Sequence, residues 1–150
     1  MAEQTVIRTA RPEDHARITA VADDWWGRPV SGILPRLFLD HFHPTSLVAD
    51  AGEELAGFVI GFFSPGDGRT AYIHFTGVAP DQRRTGLARE LYRRFFDLAK
   101  ADGRTRVHAV TAPFNTGSIA FHTAMGFTAS DPIPDYDGPG LDRVRFERPL

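Results

Sequence analysis

The sequence predicts an α/β (α+β) fold with a mixed, mostly antiparallel central sheet and helices on both faces. Three observations point there. "TSLVADA", "ELAGFVIGFFS" and "TAYIHFTGVAP" are strand-like runs joined by the turns "AGE" (Ala51–Glu53) and "PGDG" (Pro65–Gly68), which makes an antiparallel meander. Leu87, Leu91, Phe95, Leu98 and Ala99 then recur at helical spacing opposite Arg89, Arg93 and Lys100, so a long helix with one buried face follows. "RVHAVTA" reads as another strand, and a strand–helix–strand path implies a parallel crossover.

The other elements fall around this centre. "TVIRTA" (Thr5–Ala10) alternates as a first strand. Pro12, Glu13 and Asp14 open a helix with Ile18, Val21, Ala22 and Trp25 as its apolar stripe. "GRPVSGILPRLFLDHFHP" is broken by Gly and Pro, yet it contains a short apolar helix over roughly Leu34–Phe42. Gly103 ends the long helix, and "NTGSIAFHTAM" is a short one with Asn115 as N-cap and Gly126 as stop. "DPIPDYDGPG" is a loop and "DRVRFERPL" the last strand, with room for an extra short strand after Gly126. No linker divides the chain, so its 150 residues are read as one domain, 1–150.

Composition narrows the function. A net charge of −2 excludes a generally basic nucleic-acid binder, so an anion site must be local. The absence of cysteine excludes a disulfide scaffold, a thiolate metal site and a cysteine nucleophile, and it fits a cytoplasmic protein. No apolar run is long enough to span a bilayer, and "MAEQTVIRTARPEDHAR" lacks a signal-peptide core. His41 and His43 have no further ligand cluster beside them, so no metal is expected.

The stretch "DQRRTGLARELYRRFF" poses a problem. A helix begins near Gly86, and helix N-termini carry partial positive charge, yet Arg83 and Arg84 stand at its mouth. One answer is an anion site. The amides of the loop and first helical turn, over Arg83, Arg84, Thr85, Gly86, Leu87 and Ala88, converge as a nest that binds phosphate. Gly86 lets backbone come close, and Ala88 does not block it. The other answer is that both arginines are simply solvated, at a cost of tenths of a kcal/mol. No Gly-Lys-Ser/Thr follows, and the spacing is not that of a three-glycine dinucleotide loop.

On these residues the sequence resembles the GCN5-related N-acetyltransferase (GNAT) family. "GVAPDQRRTGLARELYRRFFDLAKADG" is similar to that family's acetyl-coenzyme-A segment, Arg/Gln-x-x-Gly-x-Gly/Ala, with Arg83, Gly86 and Ala88 in the matching places. "NTGSIAFHTAMGF" is similar to its next segment, an Asn opening a helix that ends in Gly-Phe. The resemblance is sharp from about Tyr72 to Phe127 and elsewhere covers only element order. It implies a GNAT fold with splayed middle strands, the strand ending near Val78 parting from Arg106–Ala112, and pantetheine in the gap. It implies acetyl-CoA as co-substrate, with the pyrophosphate on the amides of Arg83–Ala88. A backbone N–H near Val78 would polarise the thioester, and Asn115 and Ser118 would lie at the cofactor. An amine of a small molecule, amino acid or peptide N-terminus would attack directly, without a covalent enzyme intermediate. Many relatives are dimers, which makes a homodimer an expectation here; no nucleic acid and no membrane partner is expected.

Two proton transfers remain. Family members often carry a Tyr as acid where this sequence has His122, so His122 is the candidate acid or a spectator that positions Asn115. Some relatives carry a Glu base on the strand Tyr72–Val78. None stands here, and alternation places Tyr72, His74 and Thr76 on one face, which makes His74 the candidate base with Tyr72 beside it. Each histidine also reads as an ordinary structural one. Trp25, Trp26, Phe42 and Tyr136, with Phe38 and the acidic residues Asp23, Asp24, Asp135 and Asp137, would suit a cationic amine, or simply pack and turn the chain. Two rivals stay open: a CoA-binding sensor of the same fold without turnover, and a module for another phosphate ligand.

Overall fold

A proline sets the first departure from the expected elements. The structure, a computed structural model, describes residues 4–150. It contains β1 (Thr5–Thr9), α1 (Asp14–Trp26), α2 (Leu37–Phe42), β2 (Leu47–Ala51), β3 (Glu54–Phe63) and β4 (Thr70–Val78). These are followed by α3 (Leu87–Ala101), β5 (Arg106–Thr111), α4 (Thr116–Ala124), β6 (Thr128–Ala129) and β7 (Val144–Pro149). Expected from Leu34, the second helix instead starts at Leu37, after a separate 3-10 turn at Ser31–Ile33. Leu34 precedes Pro35, whose ring pushes it out of helical conformation to φ −115°, ψ 75°.

Among the described residues, seven strands hydrogen-bond in the order β1-β2-β3-β4-β5-β7-β6. The crossover is parallel, with Thr70 opposite Arg106, Ala71 opposite Val107 and Tyr72 opposite His108. β4 runs on to Val78 and β5 to Thr111. The chain divides into two compact units: the chain up to Phe62 with Ile73–Leu98, and Phe63–Tyr72 with Ala99–Leu150.

In the first unit β1 pairs antiparallel with β2, and β2 with β3. Ile18 and Ala22 of α1, Leu39 of α2, Phe58 and Ile60 of β3 and Phe75 of β4 form one core. Each buried Leu, Ile or Phe side chain contributes roughly 1.5–3 kcal/mol. Gly57 points the other way. A Cβ there would stand 3.2 and 3.3 Å from Leu87 and Leu91, so α3 covers the face of β3 opposite α1. Asp14 is more than a helix opener: it is buried and takes both guanidinium branches of Arg8 at 2.9 Å and the Arg11 amide at 2.7 Å. Arg8 and Arg17 both reach Asp50 at 2.9 Å, so four charges fasten α1 to β1 and β2. Burial opposes the Asp14 charge, but the Arg8 guanidinium and Arg11 amide outweigh it and hold its carboxyl below the usual range.

In the second unit β5 pairs antiparallel with β7, and β6 with β7, which supplies the short strand allowed for after Gly126. Val107, Ala109, Met125, Phe127, Val144 and Phe146 are buried. Arg104 braces the turn before β4 by donating to the carbonyls of Ser64, Asp67 and Thr70 at 2.9–3.3 Å.

Candidate functional site

The loop between β4 and α3 turns on two residues with positive φ, Arg84 at 70° and Gly86 at 87°. Glycine adopts that region freely, whereas arginine is strained there, and such strain gathers where a loop must present its backbone. A 3-10 turn at Pro80–Gln82 precedes it, and the Thr85 hydroxyl donates to the Gln82 carbonyl at 2.6 Å. The first intrahelical bond of α3 runs from the Glu90 amide to the Gly86 carbonyl. Helix geometry therefore leaves the amides of Leu87, Ala88 and Arg89 without an intrahelical acceptor. A Cβ on Gly86 would meet nothing within 4 Å, so the loop faces open space there. An open groove of about 290 Å³ borders it, lined by Thr5 and Ile7 of β1 and by Gln82, Thr85, Gly86 and Leu87. The arrangement can hold a phosphate on backbone N–H groups.

The two arginines part company. Arg83 donates from Nη2 to the Trp25 carbonyl at 2.6 Å, in the last turn of α1. Gly27 caps that helix at φ 71°. A cation at a helix C-terminus is favourable, so α1 itself supplies a partner for one of the charges at the mouth of α3. Nothing in the spacing of "RRTG" announces this bond. Arg84 is exposed.

Along β4, Ala71, Ile73, Phe75 and Gly77 are buried and Tyr72, His74, Thr76 and Val78 are partly exposed, as alternation requires. The side chains of the polar set meet different partners. His74 donates from Nε2 to the Ile33 carbonyl at 2.6 Å and stacks on Phe38 with ring centres 3.9 Å apart. Burial pushes its pKa down against the pull of that carbonyl, so the ring is neutral with the proton on Nε2 and the lone pair on Nδ1. Thr76 donates to the Tyr92 hydroxyl at 3.3 Å. The Tyr72 phenol is pushed up to about 12 by burial, helped by the charges of Tyr136 and Asp137, and stays protonated.

α4 begins as its sequence suggests: Asn115 Oδ1 accepts from the Ser118 amide at 3.2 Å, so Asn115 is a cap. His122 is buried. Its Nδ1 donates to the Ser118 carbonyl at 2.8 Å, and its ring lies flat on Phe146 at 4.2 Å and edge-on to Phe127 at 5.1 Å. Burial lowers its pKa against the Ser118 bond, so at neutral pH it is an uncharged member of an aromatic cluster. That environment works against the imidazolium form which an acid role at His122 would need.

The aromatic residues expected around an acceptor divide too. Trp25 stacks on Phe58 and Trp26 on Phe75, against the core, and Phe42 tilts onto Phe62 at 4.9 Å. Tyr136 is 46% exposed. The acidic residues are largely engaged in holding loops: Asp23 accepts from the Val30 and Ser31 amides at 2.8 Å, Asp135 from Gly140 at 2.7 Å, and Asp137 pairs with Arg143 at 2.7 Å. No group of three or more potential metal ligands occurs among the described residues, and none of their helices is long and apolar enough to cross a membrane.

Comparison with known proteins adds to this geometry. An L-2,4-diaminobutyric acid acetyltransferase of Nocardia farcinica is 29% identical over 89 residues, 59% of this chain and 46% of the relative. The chain thus spans about half the length of the curated relatives it matches. A GNAT-family protein from Desulfovibrio desulfuricans superposes with a TM-score of 0.83 at 18% identity, over 97% of this chain and 99% of the other. A diaminobutyrate acetyltransferase from Paenibacillus lautus, solved with L-2,4-diaminobutyric acid and coenzyme A, gives 0.75 at 19% identity, over 97% and 94%. At such identities these two structures establish the fold. The sequence also matches the acetyltransferase (GNAT) family over residues 8–127, which include the whole β4–α3 loop and the α4 segment. The chain therefore belongs to the acetyltransferase (GNAT) family.

Proposed function

We propose that the chain is one acetyl-CoA-dependent N-acetyltransferase domain that moves an acetyl group to a primary amine by direct attack. The observation that carries this is the backbone nest of a family member: positive φ at Arg84 and Gly86, followed by the open first turn of α3. Amides of Arg83–Ala88 take the pyrophosphate, Arg84 adds a counter-charge, and the Val78 N–H polarises the thioester carbonyl. Asn115 and Ser118, at the start of α4, are further cofactor-binding residues in this reading. No thiol nucleophile is required, because the amine is delivered to the thioester in place.

The acceptor is a small molecule, amino acid or peptide N-terminus with a free amine. The names of the curated relatives make L-2,4-diaminobutyrate the first one to try. His74 is suited to accept a proton because Ile33 ties up Nε2–H and leaves Nδ1 basic. Tyr72 adds a phenol that stays protonated, and His122 holds α4 through Ser118. Tyr136 offers more surface to an acceptor than Trp25, Trp26 and Phe42, which are half-buried and pack on other rings. The chain works in the cytoplasm, as a homodimer, without metal or nucleic acid. The burial of His122 favours a second reading, a CoA-binding sensor without turnover.

Thermal unfolding with acetyl-CoA, CoA, ATP and NAD at matched concentration tests the site. A ligand at ~100 times its dissociation constant adds roughly 2.7 kcal/mol, so acetyl-CoA and CoA should raise Tm while ATP and NAD do not. Thiol release from acetyl-CoA with L-2,4-diaminobutyrate, L-lysine and an alanine-led peptide separates enzyme from sensor. A Tm shift without thiol release selects the sensor, and an equal shift with ATP removes both readings.

A further inference from the structure

In the second unit one row of side chains crosses three strands, and two of its members, His108 and Glu147, have no part in the function proposed so far. The register places Tyr72 of β4 opposite His108 of β5, and His108 opposite Glu147 of β7. Neighbouring strands are about 4.8 Å apart, so three proton-active side chains follow one another across three strands. The buried residues Val107, Ala109 and Phe146 alternate with them, which puts the row on the face away from that core. His108 donates from Nε2 to Glu147 Oε1 at 2.7 Å. Exposure rises outward, from the partly buried Tyr72 through His108 at 21% to Glu147 at 49%.

We infer that His108, oriented by Glu147, is a further catalytic residue: it takes the proton that the acceptor's ammonium must lose before attack. This rests on the acetyltransferase reading. With Nε2–H committed to the carboxylate, the lone pair is on Nδ1, and Glu147 stabilises the imidazolium that forms. The ammonium N–H bond breaks and its proton passes to Nδ1. The freed nitrogen pair forms the N–C bond to the acetyl carbon, the C–S bond breaks with its electron pair on the sulfur of coenzyme A, and the second proton of the acylated nitrogen passes to that sulfur to give the thiol. The proton on His108 then leaves to solvent along the exposed Glu147. The products are the amide, coenzyme A and one net proton.

The charged surroundings suit this task. Arg106, next on the same face of β5, is held by Asp67 and the Thr70 hydroxyl and stands 3.6 Å from Glu147. Arg145 lies on the far side of Glu147 along β7, and Tyr136 and Asp137 act on Tyr72. The His108 bond, with the two arginines, holds the Glu147 carboxyl below its ordinary range, so it is ionised when the proton arrives.

The test is the pH profile of kcat/KM from pH 5 to 10 for wild type, His108→Gln, Glu147→Gln and His74→Gln. Acetyl-CoA is used with whichever of L-2,4-diaminobutyrate, L-lysine or the alanine-led peptide releases thiol fastest. His108→Gln should lose ~10²–10⁴-fold at neutral pH, regain rate as pH approaches the amine's own pKa, and keep the CoA-induced Tm shift. Glu147→Gln should give a smaller loss than His108→Gln, since the imidazole keeps its proton-accepting nitrogen but loses the carboxylate that orients it. A purely structural role gives no recovery at high pH. Wild-type rates with an unchanged acid limb in His108→Gln overturn the inference and leave the acetyltransferase reading standing, as does loss of that limb in His74→Gln alone. No thiol release by the wild type overturns both.

Discussion

Two glycine-to-alanine substitutions should move stability in opposite directions, and the reason is visible atom by atom. Gly77 is buried in β4. A Cβ there would stand 2.7 Å from both Cε1 and Cζ of Phe58 and 2.8 Å from Cζ3 of Trp26. Ordinary carbon contacts begin near ~3.5 Å, so these rings would have to retreat by the better part of an ångström. They have little room: Phe58 is fully buried, stacked with Trp25 and tilted against Phe75, and Phe75 carries Trp26 at 4.7 Å. Overpacking of this kind costs about 1–3 kcal/mol. At about 2–4 °C per kcal/mol for a chain of this size, Gly77→Ala should lower Tm by roughly 2–12 °C. Gly117 lies in the first turn of α4, and a Cβ there would meet nothing within 4 Å. Gly117→Ala should raise stability by about 0.4–1 kcal/mol through lost freedom in the unfolded chain. Calorimetric melts of both variants at pH 7 test the pair. A Gly77→Ala protein that melts with or above wild type would refute the packing of β4 against α1 described here.

Other consequences follow from single contacts. Gly86→Val puts a β-branched residue at φ 87° with open space around it, so the cost is backbone strain of roughly 1–3 kcal/mol and not a clash. The folded variant should lose its CoA-dependent Tm shift, and an intact shift would count against the loop as cofactor site. Asp14→Ala strands Arg8 without its buried partner and should cost about 3–5 kcal/mol in urea unfolding, more than any other carboxylate in the network. His74 and His122 have folded pKa values below the unfolded one near 6.5, so their stabilisation is complete above that pH and is lost as pH falls through the folded values. The urea midpoint should drop between pH 7 and 5, and His122→Phe, stacked on Phe146, should reduce that drop. Asp14 acts lower, its contribution fading as pH falls below about 4.

Much of this protein is local information. The alternation in "TAYIHFTGVAP" and the helical spacing of Leu87, Leu91, Phe95 and Ala99 settled which faces are buried, because a strand repeats every two residues and a helix about every 3.6; Leu98, expected on the same helix face, is instead exposed, and Tyr92 and Phe96 are buried. Asn115 capped its helix as its side chain and position required. The Gly86 loop and the two family segments were legible because a backbone nest needs small residues at fixed offsets. What the sequence could not show were bonds between distant segments. Arg83 finds the carbonyl of Trp25, Asp14 gathers Arg8 and Arg17 with Asp50, and His74 lies against Ile33 and Phe38. His108 shows the limit most plainly: as a lone histidine in "RVHAVTA" it carries no signal, and only the pairing of β5 with β4 and β7 gives it Tyr72 on one side and Glu147 on the other. Periodicity and turn chemistry are properties of neighbours along the chain, so sequence determines them. The protonation state of a histidine depends on which carbonyl, carboxylate or ring folding brings to it, and that is decided in three dimensions.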